Sequence, residues 1–96
     1  MKVNLNIPVR EYDGATVKNE NDVEVTIGDL VGKVLFASKG MEQADMMRAY
    51  DITAKIQKDA ASVELTSEDI TFIKEQTVKV FNVGIYGQLY NILEQR

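Results

Sequence analysis

Apolar residues alternate with polar ones at the start of the chain: Val3, Leu5, Ile7 and Val9 fall on one side of an extended backbone. A period of two marks a half-buried strand. Pro8 has no N–H to give to a ladder, so the segment is expected to be an edge strand or to end there. Asp13-Gly14 predicts a turn, Ala15 to Lys18 a second extended piece, and Asn19 to Asp22 a polar tip, after which Val23 to Ile27 alternates again. Residues 1–27 therefore read as a small antiparallel β-hairpin or meander.

From residue 28 to 96 the spacing changes to that of helices. Leu30, Val31, Val34 and Leu35 recur at helical intervals, and Thr26 with Asp29 forms a capping-box pair ahead of them. Gly28 and Gly32 weaken this helix unless they let a neighbour pack closely, and Gly40 is a candidate left-handed stop. Residues 41–60 form the longest helix candidate, with Met46, Ala49, Tyr50, Thr53, Ala54 and Ile56 on a broad face. Its acids come early and its bases late, as the helix dipole favours.

Val63-Glu64-Leu65 is a short extended link. Thr66 then caps a helix with Asp69 as its box partner, and Leu65 and Ile70 occupy the positions of a hydrophobic staple. Ile70, Ile73, Thr77 and Val80 predict one buried face running to about Phe81. Asn82 is the expected cap of a last helix carrying Ile85, Tyr86, Leu89, Ile92 and Leu93, with Gly84 and Gly87 expected at a close helix contact. The expected fold class is α+β: a short N-terminal hairpin or meander and a bundle of about four helices, two long and two short, in one domain over 1–96. No internal repeat is evident.

Composition narrows the chemistry. The apolar fraction of 45% is that of a globular chain, and the scarcity of aromatics predicts an aliphatic core with Met filling gaps. Without Cys or His there is no disulfide, thiolate, imidazole base or usual zinc site. No apolar run approaches the roughly 20 residues of a membrane span, so a soluble, intracellular protein without membrane contact is expected. Fifteen acids against eleven bases give a net charge of −4, which disfavours direct nucleic-acid binding through phosphates.

Each candidate for chemistry has a plainer explanation. Ser67-Glu68-Asp69 offers a hydroxyl and two carboxylates, but a Ser nucleophile needs a positioned base and capping uses each residue where it stands. Asn19 to Asp22 lacks the ligand pattern of a calcium loop. Gly84-x-x-Gly87 has no Lys-Ser/Thr to make it a phosphate loop. No catalytic residue, cofactor site or metal site is therefore assigned, and no enzymatic activity is expected. Met46, Met47, Tyr50, Tyr86 and Tyr90 are the candidate partner contacts, because Met adapts to varied surfaces and Tyr presents an apolar body with a polar tip.

The ordered segments VTIGDLVGKVLF, MRAYDITAKIQK and VELTSEDITFIKEQTVKVFNVGIYGQLYNILE resemble a group of small, mostly uncharacterised proteins of tailed bacteriophages and prophages over residues 25–94. The shared features are folding signals: a Thr-x-Gly-Asp helix opening, an Arg-x-Tyr-x-x-Ala-x-x-Ile helix, and a capped helix leading to a Gly-Gln-x-x-x-Ile-Leu-Glu tail. The resemblance implies a phage protein of the host cytoplasm with an accessory role and supplies no catalytic residues. The leading expectation is binding of a protein partner, or of itself as a homo-oligomer, as an assembly factor, regulator or inhibitor of a host system. Acidic residues on the rim would steer a basic partner. One alternative is an oligomeric nucleotide-sequestering anti-defence protein; the other is an acidic DNA mimic.

Overall fold

The computed structural model describes residues 1–96 and is an α+β fold. A two-stranded antiparallel sheet pairs β1 (Lys2–Val3) with β2 (Val63–Glu64), and four helices make up the body: α1 (Ile27–Ala37), α2 (Gln43–Lys58), α3 (Ser67–Thr77) and α4 (Val83–Leu93). Only α2 is long; the other three have 11 residues each, in place of the expected two long and two short. No helix is long and apolar enough to cross a membrane.

The helix starts follow local chemistry. Thr26 Oγ1 accepts from Asp29 N while Asp29 Oδ2 accepts from Thr26 N, and Thr66 and Asp69 repeat the same reciprocal box on α3. Asn82 caps α4 by accepting from Ile85 N at 2.9 Å. Glu42, ahead of α2, makes no side-chain cap. Helix α3 stops at Thr77, short of the expected Phe81, and turns through Val78 to Phe81 on carbonyls of its last turn. Val80 thereby leaves the buried face and is exposed, while Phe72 joins it.

The first 27 residues contain more order than a meander. Val17 N donates to Val9 O, Val25 N to Val17 O, and Val9 N to Val25 O, at 2.8–2.9 Å, so three extended segments close on one another in a ring. Isolated bridges at Arg10–Thr16, Lys18–Glu24 and Pro8–Thr26 join them. Pro8 is tolerated because the bonds of that pairing fall on Val9 and Ile27, on either side of the bridge.

The two hairpin loops are equivalent. Glu11 N bonds Ala15 O and Asn19 N bonds Val23 O, and the backbone is left-handed at Gly14 (φ 92°) and Asp22 (φ 61°), eight residues apart. A three-residue loop ending in such a residue is a standard hairpin solution. Val9-Arg10-Glu11-Tyr12-Asp13-Gly14 and Val17-Lys18-Asn19-Glu20-Asn21-Asp22 are thus structural repeats, which the sequence conceals because only the leading valine is identical and only the Arg10/Lys18 pair keeps its charge.

Helix α1 is the centre of the body, packing against α2, α3 and α4. All elements share one apolar core, in which Leu5, Ile27, Val31, Ile52, Leu65, Ile73 and Leu89 are essentially inaccessible. Leu5 runs between two partners: its N–H donates to Ala60 O and its carbonyl accepts from Gly28 N, both at 2.8 Å. Gln88 of α4 clips the β region in place by accepting from Arg10 N and donating to Arg10 O, both at 2.9 Å.

The glycines divide by environment. A Cβ at Gly28 would lie 3.1 Å from Leu5 O, so this glycine permits a close backbone approach. A Cβ at Gly87 meets nothing within 4 Å, and one at Gly84 meets only the Asn82 cap, so neither serves the close helix contact expected of them. Gly28→Val is expected to destabilise the fold by about 1–3 kcal/mol through overpacking. Gly87→Ala is expected to stabilise it by about 0.5–1 kcal/mol by restricting the unfolded chain. Urea unfolding midpoints would check both, and a shared sign would contradict this assignment.

Candidate interaction surface

The five residues singled out from sequence lie in three places. Met46 and Tyr50, one turn apart on α2, line a small depression with Phe36 and Met41. Buried Leu35 and Ala49 form its floor. Phe36 is 66% exposed, Tyr50 58% and Met46 46%, which makes an apolar crest where the end of α1 meets the start of α2. Met46 and Tyr50 were expected on the same helix face as Ala49 and Thr53. The buried face of α2 is instead Ala49, Ile52, Thr53 and Ile56, rotated enough to leave both outside.

Phe36 was not identified from sequence. The available signal is its register: Val31 and Leu35 occupy the core stripe of α1, so the residue directly after Leu35 turns about 100° away from it on a helix of 3.6 residues per turn.

Met47 points to a different part of the surface. It borders an open depression with Arg48, Asp51, Lys55 and Asp69. Here Arg48 Nη1 donates to Asp69 Oδ1 at 2.6 Å and Nη2 approaches Glu68 Oε2 at 3.5 Å, which ties α2 to the first turn of α3. Burial pushes the Asp69 carboxyl up, but hydrogen bonds from Thr66 and Arg48 and the nearby Lys55 charge outweigh it and hold the group below its ordinary value. A carboxylate so held is ionised and fully engaged. Ser67 beside it is exposed, and both Asp69 oxygens bond other groups. The Ser67-Glu68-Asp69 stretch is therefore a helix start tied to its neighbour by an arginine.

Tyr86 and Tyr90 lie on α4, their rings tilted with centroids 6.2 Å apart. Lys74 Nζ sits 4.3 Å from the Tyr90 centroid and the Arg96 guanidinium 5.8 Å, while Lys74 also pairs with Glu94. Both tyrosines are partly buried. The Tyr90 ring is engaged by cations of its own chain, so it presents less free aromatic surface than the α1–α2 crest.

Charge around the crest is mixed rather than an acidic rim. Glu42 and Asp45 open α2, while Lys33, Lys39 and Lys79 line the adjoining concavity with Met41 and Val80. No three acidic side chains come together as a metal cluster. Comparison of the chain with protein-family models, curated proteins and solved structures finds no match.

Proposed function

We propose that this chain is a small bacteriophage accessory protein that acts in the host cytoplasm by binding another protein, without catalysis. The observation that supports this reading is the crest of Phe36, Met46 and Tyr50 around a depression floored by Leu35 and Ala49. Two aromatic rings and a flexible thioether, exposed together above an apolar floor, are the side chains that act as anchors in protein interfaces. The phage assignment draws on the sequence resemblance alone.

The nucleotide-sequestering and DNA-mimic alternatives have less to support them. The concavities of the single chain are open to solvent, whereas a small ligand is usually held in a site that encloses most of its surface, so a sequestering pocket would need a second subunit to complete it. Basic residues break up the acids on the helices: Arg48 lies between Asp45 and Asp51 on α2, and Lys74 between Asp69 and Glu75 on α3.

The test is affinity capture from host lysate with the wild-type chain and with a Phe36→Ser/Tyr50→Ser variant, read by quantitative mass spectrometry. Truncating a central anchor costs about 2 kcal/mol or more, so a partner held by the crest is expected to fall at least about tenfold in the variant. Both residues are exposed, so the variant's unfolding midpoint should stay near wild type. Equal retention of every captured protein by the two chains would overturn the reading.

A further inference from the structure

We propose that the lysine-lined concavity at the end of α1 receives the acidic hairpin Lys18–Glu24 of a second copy of the chain, so that copies associate head to tail. The concavity takes Lys33 from α1, Lys39 from the link after it, and Lys79 from the turn after α3, against one acid, Asp45. None of these lysines belongs to an ion pair within the chain. Met41 and Val80 add apolar surface between them. On a chain of net charge −4 this is a local excess of positive charge.

The hairpin is its complement. Glu20, Asp22 and Glu24 are exposed, and the single base among them, Lys18, reaches only Asp22, at 3.7 Å. Val23 is exposed among these acids, so the hairpin offers an apolar residue ringed by negative charge to a surface of opposite pattern.

The two do not pair with each other within one molecule. The hairpin belongs to the three-segment ring that holds the first turn of α1, where Ile27 N donates to Ile7 O and Gly28 N to Leu5 O. The concavity begins at Lys33 and runs to the far end of the same helix, about 9–15 Å along it from Ile27 at 1.5 Å per residue. Two unlike surfaces at opposite ends form a heterologous contact, in which each docked copy leaves one free end of each kind.

Sedimentation of the full chain over a concentration series at low salt is expected to give a mass above the monomer's 10.8 kDa that rises with concentration. At 1 M salt, where charges are screened beyond about 3 Å, it should return to the monomer. Lys33→Gln/Lys39→Gln/Lys79→Gln and Glu20→Gln/Asp22→Asn/Glu24→Gln should each stay monomeric. Asn suits the left-handed backbone at position 22, and matching unfolding midpoints would verify that both variants fold.

Each variant keeps one intact surface, so mixing the two should form a dimer that grows no further. The Phe36→Ser/Tyr50→Ser chain should associate as wild type does, which separates this contact from the crest. A wild-type chain that remains monomeric throughout, either variant associating like wild type, or a mixture that stays monomeric would each overturn the proposal.

Discussion

Asp69→Ala is expected to lower the unfolding free energy by about 2–4 kcal/mol, although it removes only a small polar side chain. Asp69 Oδ2 accepts from Thr66 N at 3.0 Å and completes the capping box; Oδ1 accepts from Arg48 Nη1 at 2.6 Å and joins α3 to α2. Loss of the bond from Thr66 N, one half of the box, costs about 0.5–1.5 kcal/mol, while Thr66 Oγ1 still accepts from the backbone of residue 69. Loss of a charge-assisted bond by a group only 7% exposed costs about 1.5–3 kcal/mol more. The total is held below the sum because Arg48 is about one-third exposed and keeps Glu68 at 3.5 Å.

The pH dependence has a definite sign. The folded-state pKa of Asp69 lies below the ordinary 3.8, so the unfolded chain takes up its proton first as pH falls. The stabilisation is complete above that ordinary value and drains away as pH drops through the depressed one. Wild type should therefore lose more stability than Asp69→Ala between neutral and strongly acidic pH, and the two urea curves should converge in acid. Parallel curves, or a neutral-pH difference under about 0.5 kcal/mol, would show that Asp69 does not carry the α2–α3 link.

Ile73→Ala should cost about 2–5 kcal/mol, from lost apolar transfer and the cavity left behind. Ile73 is fully inaccessible and sits on α3, which packs against both α1 and α4. The informative comparison is Val80→Ala. The helical spacing of Ile70, Ile73, Thr77 and Val80 predicts one face for all four, yet Val80 lies beyond the end of α3 and is 62% exposed. Its truncation should stay within about 0.5 kcal/mol of wild type. Chemical denaturation of the two variants separates a helix ending at Thr77 from one reaching Phe81: comparable losses would restore the longer helix. For a chain of 96 residues the Ile73 loss is a large part of a stability of about 5–15 kcal/mol.

The interaction surface was less legible than the fold. Met46 and Tyr50 were recognised as candidate contacts from residue type, but their meeting with Phe36 was not, because it depends on how the end of α1 crosses the start of α2. Met47, adjacent to Met46, belongs to the Arg48–Asp69 side instead. Tyr90 reads from sequence as a candidate partner contact, whereas Lys74 and Arg96 engage its ring from elsewhere in the chain. The valine ring near the N-terminus is not legible in the sequence because its repeat is one of turn geometry: it needs a left-handed residue at one place, and two unlike residues, Gly14 and Asp22, both meet that need.

The starts of three helices and the class of fold are legible in residues that lie close together along the chain. Thr26 with Asp29, Thr66 with Asp69, and Asn82 with Ile85 N act within three residues of chain, so their bonds form wherever the local backbone turns helical. Long-range packing, by contrast, pairs Lys2–Val3 with Val63–Glu64, brings Arg48 to Asp69, and leaves particular apolar side chains in water. Those outcomes depend on contacts between distant segments, and helical or strand periodicity says which residues share a face without saying what will cover it.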